Sequence, residues 1–594
     1  MLWLVPLWVG SMDMALAGVG DQPDGLAKDA IRILDYQCAS CHDGQNHPLD
    51  TLDHHGLTAE RSAGRDRFIE PGDPESSYLW KLVQTDVMPK DAAPLSDDEK
   101  QTIRDWIVAG AEFPDFGGTQ RTFISEAEVL GQIEQHLNGT RAEDREFIRY
   151  FSLHTLANNR TITTDKLRLA AAGLAKALNS LSRQRNVAVL EAIDDSDPTQ
   201  HAGLLFAVDL RQLGWEVDNF EKWKQVLAAY PYGKQPSRRG EARRSFDNIK
   251  SHYEVRSFFD GFAYLRADWF IASAMRPPLY HELLDVPETV AELELAEGFD
   301  QESDYLRNQL VRGGVLLSNV STQPRVVDYH AGERGIWMSY DFVSQPANDP
   351  ERGDIVRFPL GPQFPNNPHP SAAFEHAGGE IIFTLPNGLH GYMLVDADGR
   401  RIDAGPIEIV ADRSMVSGTP EIVNGVSCIS CHRHGMIDFN DQIAFGHAQT
   451  SQSEVVKIES IYRPDALQRR LDEQRADYLR SLRRVIGRFL QVGDDAGQPI
   501  EAFPEPITTV TRLYQRDLDD DQIAAELGLP DPSSLNQMIG VQTKLISLGL
   551  GVLPDGGAIK RNHWEARGLN NRESKFQRAA REFGFTPVSR LSVR

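Results

Sequence analysis

The chain has 594 residues, with 62 Lys and Arg against 86 Asp and Glu and a formal net charge of −24. That length exceeds one compact core and predicts about two to four domains, while 41% hydrophobic and 25% charged residues exclude a disordered or fibrous chain. The acidity leaves no phosphate-neutralising excess and argues against nucleic acid as a partner, and four cysteines are too few for a disulfide scaffold.

The first ten residues are almost wholly apolar, and Ala15-Leu16-Ala17 supplies a small-x-small cleavage pattern, so residues 1–17 read as a secretory signal despite the lack of Lys or Arg before Lys28. No later stretch approaches the roughly 20 apolar residues of a membrane span, so the mature chain is expected to be soluble and exported to the periplasm or beyond, without a transmembrane segment.

All four cysteines fall into two identical spacings, Cys38-Ala39-Ser40-Cys41-His42 and Cys428-Ile429-Ser430-Cys431-His432. C-x-x-C-H is the attachment pattern of c-type haem: each thiol adds across a vinyl group and the adjacent histidine ligates the iron. A shared four-cysteine zinc site, a redox dithiol or two disulfides would each need the thiols, but none needs a histidine after both pairs. With only 17 His in the chain, that recurrence favours two covalent haem c groups, held by Cys38, Cys41, Cys428 and Cys431, with iron ligated by His42 and His432.

Residues 24–116 read as a small all-α domain. A helix carrying Ile31 and Leu34 leads into Cys38, Asp73-Pro74 can open a short helix with Leu79 and Leu82, and Ser96-Asp97-Asp98-Glu99 forms a capping box before Ile103, Trp106 and Ile107. Met88 sits in the Pro-flanked turn before that closing helix and is the expected sixth ligand; methionines more often just fill core gaps. This segment resembles the planctomycete-type cytochrome c domain in its haem motif, in Pro71-Gly72-Asp73-Pro74-Glu75-Ser76, in Met88-Pro89 and in Leu95 to Glu99. The resemblance implies a class I cytochrome c fold and an electron-transfer module, and carries over Cys38, Cys41, His42 and Met88.

Residues 120–310 are expected to mix helix and strand. The stretch to about 180 has helical patterning, then Val187–Ile193 and Leu204–Leu210 read as strands, and Trp215, Trp223 and Tyr230 as core. Lys234 with Arg238, Arg239, Arg243 and Arg244 makes a basic patch, expected to be solvated surface. Residues 311–490 are expected to combine an antiparallel sheet, signalled by Pro386-Asn387-Gly388 and Asp396-Ala397-Asp398-Gly399, with the second haem motif and one long helix over 454–490. Residues 491–594 read as helical, with Asp517 to Asp521 capping a helix.

The fold class expected is therefore α+β and multidomain. The second motif has no Met-Pro partner downstream; His330, His376, His390, His447 and His563 are candidate sixth ligands, and His376 and His330 lead because their sheet precedes the motif. If none binds, the second iron is open to small ligands. The region from about 140 to 440 also resembles large exported bacterial proteins with one cytochrome-type motif, in strings such as Tyr230-Pro231-Tyr232-Gly233 and Val423-Asn424-Gly425-Val426-Ser427-Cys428; that group implies a haem-bearing architecture and no substrate. The function expected is one-electron transfer to redox partner proteins through two haems. The alternatives are a haem peroxidase or oxygenase and a redox-sensing or partner-binding protein.

Overall fold

The computed structural model describes residues 23–39, 42, 49, 51, 54–59, 61, 65–90, 94–113, 121–194, 203–253, 261–316, 323–342, 353–412, 414–444, 446, 451–568 and 573–588. The segment read as a signal, Cys41 and His447 lie outside them. The protein is mixed α and β with antiparallel sheets, and the chain divides into two units, residues 1–115 and 116–594. None of the described helices is long and apolar enough to cross a membrane.

In the first unit, helix Pro23–Ile33 packs against helix Asp97–Val108. The second of these begins as its sequence dictates: Ser96 Oγ accepts from Glu99 N, and the Glu99 carboxylate accepts from Ser96 N at 2.8 Å. Ile103, Trp106 and Ile107 turn one face inward and are buried. Asp73 accepts from Ser76 N ahead of Pro74, which occupies the first position of a short 3₁₀ turn leading into helix Tyr78–Gln84.

The second unit carries all the described strands. Its first five are β1 (Ile148–Ser152), β2 (Glu191–Ala192), β3 (Leu205–Asp209), β4 (Lys234–Pro236) and β5 (Leu265–Arg266), of which four form a sheet in the order β2-β3-β1-β5. β1 interrupts the otherwise mostly helical stretch of residues 120–180. Its Ile-Arg-Tyr-Phe-Ser run is buried along its whole length between antiparallel β3 and parallel β5, so tertiary pairing overrides the helical patterning on either side.

A six-stranded antiparallel meander follows: β6 (Val311–Val315), β7 (Arg325–His330), β8 (Ile336–Asp341), β9 (Gly378–Thr384), β10 (His390–Asp396) and β11 (Arg401–Ile402), each strand beside the next. The β9–β10 hairpin turns at Pro386-Asn387-Gly388, as its sequence predicts, and Gly388 has φ +87°. Short strands β12 (Ala404–Gly405) and β13 (Ile422–Val423) pair just before the second cysteine pair. β14 (Phe585–Pro587) returns from the C-terminal end to pair with β4.

The expected long helix over 454–490 is two helices, Gln452–Ile461 and Pro464–Leu490. Pro464 lacks the N–H that a continuous helix needs and pushes Arg463 out of helical geometry, so the chain restarts there. The second helix buries Leu467, Leu471, Tyr478, Leu482, Val485 and Phe489. One hydrophobic core runs from Phe151 to Ala580, so the stretches delimited in sequence as 120–310, 311–490 and 491–594 share their interior.

Buried charges stitch the C-terminal helices to that core. Arg266 pairs with Asp268 at 2.6 Å and with Glu526 at 2.8 Å, Arg561 pairs with the same Glu526, and Trp564 Nε1 donates to it at 2.8 Å. Lys234 of the basic patch is half-buried and bound to Glu126 at 2.9 Å, whereas Arg238, Arg239 and Arg244 are exposed as expected.

Candidate functional site

The second cysteine pair sits on helix Val426–Cys431, and its entry is tightly specified. Gly425 precedes it with φ +85°, and a Cβ there would lie 2.6 Å from the Met275 carbonyl oxygen and 2.9 Å from the Tyr280 ring, so only glycine fits. The Asn424 amide donates to His281 Nε2 at 2.7 Å, and Ser427 Oγ accepts from Val423 N at 3.1 Å. These contacts fix where the helix starts and therefore where its thiols stand.

Cys428 and Cys431 are three residues apart on this helix, hence on one face, and neither is in a disulfide. Cys428 is buried and Cys431 half-buried. Burial, with the nearby Glu380 carboxylate, pushes the Cys428 thiol well above its ordinary range; burial, with Asp412 and Glu380, pushes Cys431 up to about 12. Both are therefore protonated thiols at neutral pH.

His432 closes the helix and is buried. Its Nδ1 faces the Gly435 carbonyl oxygen at 3.3 Å, and its Nε2 lies 3.5 Å from Glu380 Oε2. Nδ1–H donating to a backbone carbonyl leaves Nε2 as the ligating nitrogen, the arrangement typical of metal-bound histidines. Glu380 reaches this point from β9, 52 residues upstream in sequence. Burial alone would raise its pKa, but the charge and hydrogen bonds of His432, with Cys428 and Arg325 adding to them, hold it down at about 2.

The sheet register explains what surrounds that contact. Glu380 pairs across to Leu394, so Glu380, His390 and Tyr392 share one face, and continuation of the register to β7 and β8 adds Arg325 and Asp341, themselves bound at 2.6 Å. Tyr392 lies against the His432 ring with centroids 6.0 Å apart. Its hydroxyl and His390 Nδ1 are buried without a hydrogen-bond partner among the described residues. The His390 ring stacks on Tyr478 at 4.5 Å, and behind Tyr478 lies the fully buried Lys176–Glu505 pair at 2.9 Å.

His376 goes elsewhere. It packs edge-on against Tyr340, centroids 5.1 Å apart, and Tyr340 alternates with Ser339 and Asp341 along β8. The structure therefore places His376 with the sheet face opposite Glu380, and does not bring it beside His432. His330 lies on that opposite face too, with Nδ1 2.8 Å from Asp304.

At the first motif, Cys38 ends a π-helical turn, His42 N donates to Cys38 O at 3.0 Å, and Thr51 donates to His42 O from both its N and its Oγ1. The Met88 backbone N donates to Leu82 O at 3.2 Å, fixing the half-buried methionine in the turn before the closing helix. Trp80 is buried, and its Nε1 has no hydrogen-bond partner among the described residues.

The donor sets fit covalent haem in chemistry: a thiol pair and a following histidine at the second motif, and Cys38, His42 and Met88 at the first. Glu380 is the residue that sequence reasoning missed. A carboxylate 52 positions away leaves no local spacing signal, and only the antiparallel register of β9 delivers it. No family model, no curated protein and no solved structure matches the chain.

Proposed function

We propose that this chain is an exported dihaem c-type cytochrome whose chemistry is one-electron transfer to and from redox partner proteins. The observation that carries the reading is the second C-x-x-C-H, where both thiols share one face of a fixed helix and the next residue offers an imidazole whose Nδ1 is already engaged by Gly435. The same motif recurs at Cys38 to His42, and Met88 would complete an axial pair there. A bound haem supplies reversible one-electron change at iron, at a potential set by its ligands and nearby charge.

The chain's own residues have separable roles in this proposal. Cys38, Cys41, Cys428 and Cys431 would anchor, His42 and His432 would ligate, and Gly435 would fix the tautomer of His432. Glu380 would place a negative charge beside the second site, and ligation at Nε2 requires it to yield the position it holds there. The buried, protonated thiols also support attachment over dithiol exchange, which needs a stabilised thiolate in an electropositive setting.

A second reading, a haem enzyme of peroxidase or oxygenase type, draws on one further observation. His390 and Tyr392 hold buried polar atoms without partners among the described residues, on the sheet face that carries Glu380, and such groups suit a site that receives a small polar ligand. Optical and EPR spectra of the holoprotein separate the two. Two low-spin haems indifferent to carbon monoxide and peroxide support electron transfer, and a high-spin component that reacts with peroxide supports the enzyme.

A further inference from the structure

The sheet face opposite Glu380 borders a cavity of about 530 Å³, within the size range of small-molecule sites. Tyr305, Phe364, Tyr340 and Met338 give it an aromatic and apolar wall. Its polar lining is dominated by acceptors: the carboxylates of Glu294, Glu302, Asp396 and Asp398, and the imidazole of His376.

Arg312 also borders the cavity but has little left to offer an anion. Its Nε and Nη2 each donate to Asp328 at 2.6 Å, and its Nη1 donates to the carbonyls of Pro359 and Gly361 at 3.1 and 2.8 Å, which uses four of its five N–H groups. Among the carboxylates, Asp398 has Arg400 at 3.4 Å, whereas Glu294, Glu302 and Asp396 have no Lys or Arg ion pair among the described residues. Lys457 lies over the Tyr305 ring at 4.0 Å, and its ammonium group is spent on Tyr305 O and on Asn308 Oδ1 at 2.6 Å.

We infer that this cavity binds an organic cation, a primary amine whose hydrocarbon body lies against Tyr305 and Phe364 and whose ammonium group donates to Glu302, Glu294 and His376. An acceptor-rich wall of net negative charge repels an anion and is matched by a ligand made of donors. Burial holds His376 down at about 4, so at neutral pH a ring nitrogen accepts. Burial, with Asp300 and Glu302 adding to it, pushes Glu294 up against the opposing effects of the Gln301 backbone N–H, which donates to it at 2.8 Å, and of His330. The site stands independently of the haem reading.

The test is calorimetric titration of the full chain with 2-phenylethylamine, its neutral isostere 2-phenylethanol and phenylacetate. The amine should bind saturably at one site and the other two at least about tenfold more weakly, and Glu302→Gln should weaken the amine about tenfold without affecting thermal unfolding. Glu294→Gln provides a second variant with the same expected direction. Absence of saturable amine binding, equal binding of the alcohol, or unchanged affinity in both variants would overturn the assignment.

Discussion

Glu380 Oε2 stands 3.5 Å from His432 Nε2, joining the middle of a six-stranded sheet to the last residue of the second cysteine motif. His432 is buried and the Glu380 side chain is 15% exposed, so the carboxylate acts on its surroundings with reduced screening by solvent. Removing a negative charge from beside a redox centre favours the reduced form of that centre. Glu380→Gln should therefore raise the midpoint potential of the second haem by several tens of millivolts and leave the first unchanged. Spectroelectrochemical titration of variant and parent reads this directly, and identical potentials would remove Glu380 from the account.

Met88→Ala addresses the first site. Losing the thioether should convert one haem from low to high spin in EPR while the other signal persists. An unchanged spectrum would mean that Met88 only fills space in the turn before Asp97–Val108.

The Arg312–Asp328 pair is fully buried, with Arg312 at 0% and Asp328 at 1% exposure. Arg312→Met leaves Asp328 charged and uncompensated and should cost about 3–5 kcal/mol in urea unfolding. The double variant Arg312→Met with Asp328→Leu should recover much of that loss, because two apolar groups need no partner. A single variant as stable as the parent would contradict the structural role given to this pair.

Two buried histidines set a pH dependence. Burial holds His154 at about 4, and burial with Arg401 nearby holds His281 at about 4. Each binds its proton less readily when folded than when unfolded, so the unfolded state takes up more protons and stability decreases as the pH is lowered. The contribution is intact above about 6.5 and drains away toward pH 4, on the order of 3 kcal/mol for His154. Protonated His281 could no longer accept from Asn424, so the entry to the motif helix loosens in the same window. Thermal unfolding of the full chain between pH 7 and 4.5 should show a declining midpoint, which His154→Gln makes shallower; a flat profile in the parent would count against both.

Much of the local structure was legible in sequence because its causes are local. The Ser96 to Glu99 capping box, the Asp73-Pro74 turn and the Asn387-Gly388 hairpin each act through residues no more than a few positions apart. The helix break at Pro464 was also written locally but was outweighed by the continuous apolar pattern on both sides. What escaped was carried by register and tertiary packing. β1 is a strand because β3 and β5 flank it, Glu380 meets His432 because β9 is antiparallel to β10, and His376 faces away because Tyr340 lies on the other side of β8. The two C-x-x-C-H spacings are visible in the chain because the residues of each stand side by side, and the haem reading proposed for them rests on that spacing.

The proposed function requires two covalent haems, one per motif. Haem content of the full chain after denaturation, by pyridine haemochrome absorbance and peptide mass analysis, tests this directly. Two thioether-linked haems per chain are expected, on the peptides carrying Cys38 with Cys41 and Cys428 with Cys431, with one remaining haem when Cys428→Ser and Cys431→Ser are combined. A chain with no covalent haem on the Cys428–Cys431 peptide would contradict it.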